Sequence, residues 1–133
     1  MKKVFLLSFL LVCTAIGQAQ KMITVKNNQF IKNGKAYHFI GTNYWYGAMI
    51  GAKTGDRKRL LKELDELKAN GITNLRILVG AEGGDQDYTV TPALQPTKNS
   101  YNTELLEGLD YVLSEMGKRD LNAILFLNHN WEW

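Results

Sequence analysis

Two short runs of this sequence set side-chain amides directly beside indole and phenol rings: Asn43-Tyr44-Trp45-Tyr46 and Asn128-His129-Asn130-Trp131. A single charge, Arg76, interrupts a third and otherwise apolar run, Leu75-Arg76-Ile77-Leu78. Aromatic faces mixed with hydrogen-bonding amides suit a ligand that is apolar on its flat faces and polar at its rim. A sugar ring is such a ligand: its C–H faces stack on Trp or Tyr, and its hydroxyls pair with Asn, His and Arg. Taken singly, Trp45 or Trp131 could equally be a core aromatic, and the grouping is what favours the ligand. Arg76 within an apolar strand must be paired, because a lone buried charge is strongly disfavoured. Its partner is then either a structural counter-ion or a catalytic carboxylate that it orients. Glu82, Asp85 and Asp87 lie in a polar stretch and read as solvated loop residues, and Glu132 has only Trp133 after it to position it. His38 reads as a packing or surface residue, and two histidines placed as His38 and His129 make no recognisable metal site.

The elements around these residues follow from hydrophobic spacing and turn chemistry. Ile23 and Val25, then Phe30 and Ile31, flank Asn27-Asn28 and predict a hairpin, with a second tight turn of positive φ at Asn33-Gly34. A strand is expected over 37–42, ending in the first aromatic run. Asp56 is a plausible N-cap for a helix whose stripe is Leu60, Leu61, Leu64 and Leu67, with Glu63, Asp65, Glu66 and Lys68 on the solvated side and Gly71 as its stop. A strand over 72–79 follows, then a long loop over 80–102. A second helix over 103–118 carries Leu105, Leu109, Val112, Leu113 and Met116 on one face, and a last strand over 121–127 ends in the second aromatic run. Strands alternating with single amphipathic helices predict parallel pairing through right-handed crossovers. In such folds ligands bind where the strands end, and there the aromatic runs stand. A nucleotide-binding open sheet is disfavoured, since the connection from Asn43 to Gly55 holds no G-x-G-x-x-G.

Composition narrows the setting. Lys2 and Lys3, the apolar stretch from Val4 to Ile16, and small residues at Gly17 and Ala19 have the three-part layout of a secretory signal peptide, cleaved after Ala19. About thirteen apolar residues fall short of the roughly 20 that span a bilayer, so no stable membrane anchor is expected. Bulky Val12 before Cys13 disfavours a lipoprotein. The protein is therefore expected to be secreted, periplasmic or held at the cell surface. Lys2 and Lys3 leave with the signal, and the fourteen remaining bases face thirteen acids. No basic stripe is left to argue for nucleic acid. Cys13, the single cysteine, leaves too, and with it any thiol nucleophile, disulfide or cysteine metal site.

At this point the motifs resemble a known family. Asn33-Gly34-Lys35 followed by Phe39-Ile40-Gly41-Thr42-Asn43-Tyr44-Trp45 resembles the first strand of the glycoside hydrolase family 5 mannanases. Gly71-Ile72-Thr73-Asn74-Leu75-Arg76 resembles their second strand, Leu109-Asp110-Tyr111-Val112-Leu113 the second helix, and Leu127-Asn128-His129-Asn130-Trp131-Glu132-Trp133 the third strand end. The resemblance implies a (β/α)8 barrel of the TIM type that hydrolyses a β-1,4-linked polysaccharide, mannan, with retention and without metal or cofactor. It implies two glutamates about 5 Å apart, one acid/base and one nucleophile, at the ends of the fourth and seventh strands. A complete barrel needs about 250 residues. Residues 20–133 would thus be its N-terminal hairpin and first β-α-β-α-β units, an incomplete catalytic barrel. Carried across position by position, Arg76 matches the arginine supporting the nucleophile, and Trp45 and Trp131 match aromatics lining the glycan cleft, with Asn128 and Asn130 beside Trp131. No carboxylate here matches either glutamate. The 133-residue polypeptide is accordingly expected to be inactive and, with open sheet edges, to fold poorly. A cellulase on the same fold and a non-catalytic carbohydrate-binding module remain alternatives.

Overall fold

The structure is a computed structural model that describes residues 22–83 and 89–127. The chain divides into two compact units at His38 and Phe39. In the first, β1 (Thr24–Lys26), β2 (Gln29–Lys32) and β3 (Lys35–Ala36) form an antiparallel meander. Asn27 and Asn28 have φ of 50° and 58°, and Asn33 and Gly34 have 56° and 76°, so both turns use the left-handed pair that matches strand twist. They set Val25 opposite Phe30 and Ile31 opposite Ala36.

This meander corrects the expected strand over 37–42. The Asn33-Gly34 turn returns the chain along β2, where Tyr37 N–H donates to the Phe30 carbonyl at 2.7 Å. The next strand, β4, is only Gly41–Asn43. Phe39 and Ile40 have strand composition but remain exposed, although the Ile40 carbonyl already accepts from the Thr73 and Asn74 amides.

The second unit is a parallel sheet in the order β4, β5 (Asn74–Leu78), β6 (Asn122–Phe126), joined through helices. Gly41, Thr42 and Asn43 pair with Asn74, Leu75 and Arg76, and β5 pairs with β6 from Asn74 opposite Asn122 to Leu78 opposite Phe126. After β4 comes a short helix, α1 (Gly47–Gly51), that periodicity does not reveal, because five residues with two glycines carry no stripe. It lies so close to the later helix α3 (Thr103–Lys118) that a methyl group on Gly51 would stand 2.5 Å from the Gly108 carbonyl oxygen.

Helix α2 (Arg57–Ala69) starts as its sequence predicts, with the Asp56 carboxylate accepting from the Arg59 amide at 2.9 Å. It ends in Gly71 at φ 81°, where the Ile72 amide returns to the Leu67 carbonyl. Helix α3 has the expected bounds and is capped by Asn102, whose side-chain oxygen accepts from the Glu104 and Leu105 amides. Leu60 and Leu64 of α2, Leu75 and Ile77 of β5, and Val112 and Met116 of α3 form the core. The 80–102 segment is tied along part of its length: Gln95 N–H donates to Ala81 O, Gly83 N–H to Gln95 O and Asn102 N–H to Leu94 O. Among the described residues no helix is long and apolar enough to cross a membrane. The expected signal at 1–19 lies outside them.

Candidate functional site

Side chains alternate along a strand, so the burial of Leu75 and Ile77 against the helices turns Arg76 to the opposite face. There Arg76 is exposed, which corrects the expectation of a buried ion pair. Its guanidinium stands 3.6 Å over the ring of Phe126, and one N–H donates to Asn43 Oδ1 at 3.4 Å. Among the described residues no carboxylate pairs with it. Register explains the trio: Asn43 sits opposite Arg76 on β4, and Phe126 is two positions beyond the residue opposite Arg76 on β6. This side of the sheet thus presents a cation held by an amide and an aromatic face, and a guanidinium carries enough N–H groups to take a carboxylate or hydroxyls as well.

The aromatic run after β4 separates into different roles. Tyr44 is a core residue, 2 % exposed, so the core reading holds for it. Trp45 is 47 % exposed and meets Tyr46 edge-on, with ring centroids 5.6 Å apart. Trp45 also lines a small, mainly apolar pocket together with Ala48, Met49, Leu78, Pro92 and Leu94. An exposed indole can offer its face to a C–H surface.

Glu63 is the residue that sequence reasoning misplaced. Expected on the solvated side of α2, it is half-buried, and its Oε2 accepts from the Tyr44 hydroxyl at 2.7 Å and the Tyr46 hydroxyl at 3.2 Å. Its Oε1 accepts from Arg59 Nε at 2.6 Å. Burial pushes the Glu63 carboxyl up, but hydrogen bonds from Tyr44, Arg59 and Tyr46 and the charge on Arg59 outweigh it, holding the group below its ordinary value. Burial first, then the bond to Glu63, pushes the Tyr44 hydroxyl far above its ordinary range. Tyr46 is raised by burial and by the Glu63 charge. The one available signal was the i, i+4 spacing of Arg59 and Glu63 at the margin of the leucine stripe.

The remaining site candidates, Asn128, Asn130 and Trp131, lie outside the described residues, as do His129, Glu132, Asp85 and Asp87. Glu82 is an exposed loop residue bridged to Gln95, and His38 is exposed.

Comparison with known proteins agrees with the fold. A sequence-family model described as glycoside hydrolase family 5 β-mannosidase-like matches residues 20–133. Mannan endo-1,4-beta-mannosidase 1 of Solanum lycopersicum is 28 % identical over 127 residues, covering 96 % of this chain and 30 % of the tomato protein. Mannan endo-1,4-beta-mannosidase 1 of Oryza sativa subsp. japonica is 28 % identical over 118 residues, covering 89 % of this chain and 26 % of the rice protein. The crystal structure of a mutant glycoside hydrolase family 5 mannosidase from Rhizomucor miehei, in complex with mannosyl-fructose, superimposes with a TM-score of 0.78 at 34 % identity, over 84 % of this chain and 28 % of that one. The chain thus spans under a third of the length of these relatives, and its parallel β/α sheet is part of their (β/α)8 barrel. The match along residues 20–133, together with the expected parallel pairing of the β/α sheet, makes this chain a member of glycoside hydrolase family 5.

Proposed function

We propose that this chain carries part of the substrate cleft of a retaining, endo-acting β-mannanase. The observation that carries the reading is the exposed Trp45 indole standing after β4, on the sheet whose open face presents Arg76 and Asn43, at the strand ends where β/α barrels bind ligands. The names of the plant relatives support mannan as the polysaccharide. Trp45 takes the apolar face of a mannose ring, and Arg76 orients and charge-stabilises the nucleophilic glutamate. Trp131, with Asn128 or Asn130, extends the same cleft. The two carboxylates of a retaining mechanism, about 5 Å apart, come from strands beyond β6. A polypeptide of residues 20–133 alone therefore releases no reducing ends from mannan. The layout of residues 1–19 supports export through a cleaved signal.

A second reading is an exo-acting β-mannosidase. It is favoured by the description of the matching family and by the Rhizomucor enzyme, whose complex holds a short saccharide. The full-length gene product assayed on mannan, β-glucan and short manno-oligosaccharides tests both. Internal cleavage, seen as a rapid fall in mannan viscosity, is expected. Release of single mannose units from chain ends would favour the second reading, and β-glucan turnover without mannan turnover would sink both.

A further inference from the structure

Trp45 is flanked on both sides by residues whose hydroxyls converge on one carboxylate oxygen. Tyr44 and Tyr46 both donate to Glu63 Oε2, at 2.7 and 3.2 Å. Glu63 belongs to α2, nineteen residues after Tyr44, and its other oxygen is held by Arg59 Nε at 2.6 Å. Arg59 also lies over the Tyr46 ring, 5.4 Å from its centroid. Tyr46 thus touches Arg59, the edge-on indole of Trp45 and, at 4.7 Å between ring centroids, Tyr44. An exposed indole would otherwise explore several rotamers and lose that freedom each time it met a ligand.

We propose that Glu63 is a positioning residue for the Trp45 indole: by anchoring the tyrosines on either side, it pre-sets the aromatic platform before a sugar arrives. The inference rests on the proposed role of Trp45 in binding the glycan. Pre-ordering a side chain improves affinity by sparing its ordering cost, and loss of that ordering would weaken binding about twofold to tenfold. Glu63→Gln keeps an oxygen for both hydroxyls while removing the charge, whereas Glu63→Leu removes the acceptor.

The test records the indole N–H resonance of Trp45 in 15N-labelled full chain, assigned with Trp45→Phe, and titrates a β-1,4-linked manno-oligosaccharide. Glu63→Leu is expected to shift or broaden that resonance and to weaken binding by the factor above. Glu63→Gln should restore most of both. Tyr46→Phe, a milder change should Glu63→Leu fold poorly, should move the resonance in the same sense. Asp65→Asn, which removes the charge of the Arg119 pair from the same helix, should move neither. An unmoved Trp45 resonance in Glu63→Leu and Tyr46→Phe overturns the proposal, as does weakened binding with the resonance unmoved. A shifted resonance combined with unchanged affinity in Trp45→Ala supports the positioning and instead defeats the binding role of Trp45.

Discussion

Strands β5 and β6 are each five residues long and pair residue for residue, yet they sit in opposite surroundings. Leu75 and Ile77 on β5 are fully buried, while Ile124 and Leu125 on β6 are 42 % and 43 % exposed. Their compositions, NLRIL and NAILF, do not foretell this. The difference comes from neighbours: β5 is flanked by two strands and covered by residues of α2 and α3, whereas among the described residues β6 has one strand beside it. The comparison teaches that apolar strand composition records the cover a strand is built for. β6 carries more apolar surface than the described residues bury, as expected for a strand of a barrel in which both faces are covered.

The largest effect should come from the covered strand. Leu75→Ala removes a fully buried side chain and should cost about 2–5 kcal/mol in urea unfolding of the chain. Next comes the cover itself. A methyl on Gly108 would meet the Ala48 carbonyl and Ala52 amide of the neighbouring turn, so Gly108→Ala should cost about 1–3 kcal/mol by forcing α1 and α3 apart. A smaller effect is expected in acid. Hydrogen bonds from Lys118 and Arg119 hold the Glu115 carboxyl of α3 below its ordinary 4.5, and Glu63 is lowered as well. Groups whose folded pKa is depressed stabilise the fold above their unfolded pKa and lose that contribution as pH falls through the folded value. Melting temperature should therefore drop below about pH 4.5, with a shallower drop in Glu115→Gln. The smallest effect belongs to the uncovered strand, where Leu125→Ala should cost no more than about 1 kcal/mol. A cost equal to that of Leu75→Ala would show that something beyond the described residues covers β6 in the protein measured.

Much of this architecture was legible beforehand, because the signals are local. The N-cap at Asp56 satisfies an orphan helix amide three residues on, and the leucine stripe of α2 repeats at helical spacing. The asparagine turns are likewise decided by a pair of backbone angles. Helix α1 was not legible, since its stability comes from contact with Gly108 some sixty residues away rather than from a pattern of its own. The strand expected over 37–42 failed for a related reason. Its residues have β composition, but Lys35 and Ala36 pair with β2, and the parallel ladder starts only at Gly41.

The candidate site divides the same way. Sequence alone marked Trp45 and Arg76 as the aromatic and the charge to watch, because residue type and position at a strand reveal what chemistry a side chain can offer. It also carried the family, through motifs in a fixed order. Tertiary structure alone decided that Arg76 is held by Asn43 and Phe126, that Tyr44 is core while Trp45 is exposed, and that Glu63 ties the aromatic run to α2. Those outcomes depend on which residues from distant parts of the chain arrive beside one another, and a one-dimensional pattern carries local periodicity but not the partners.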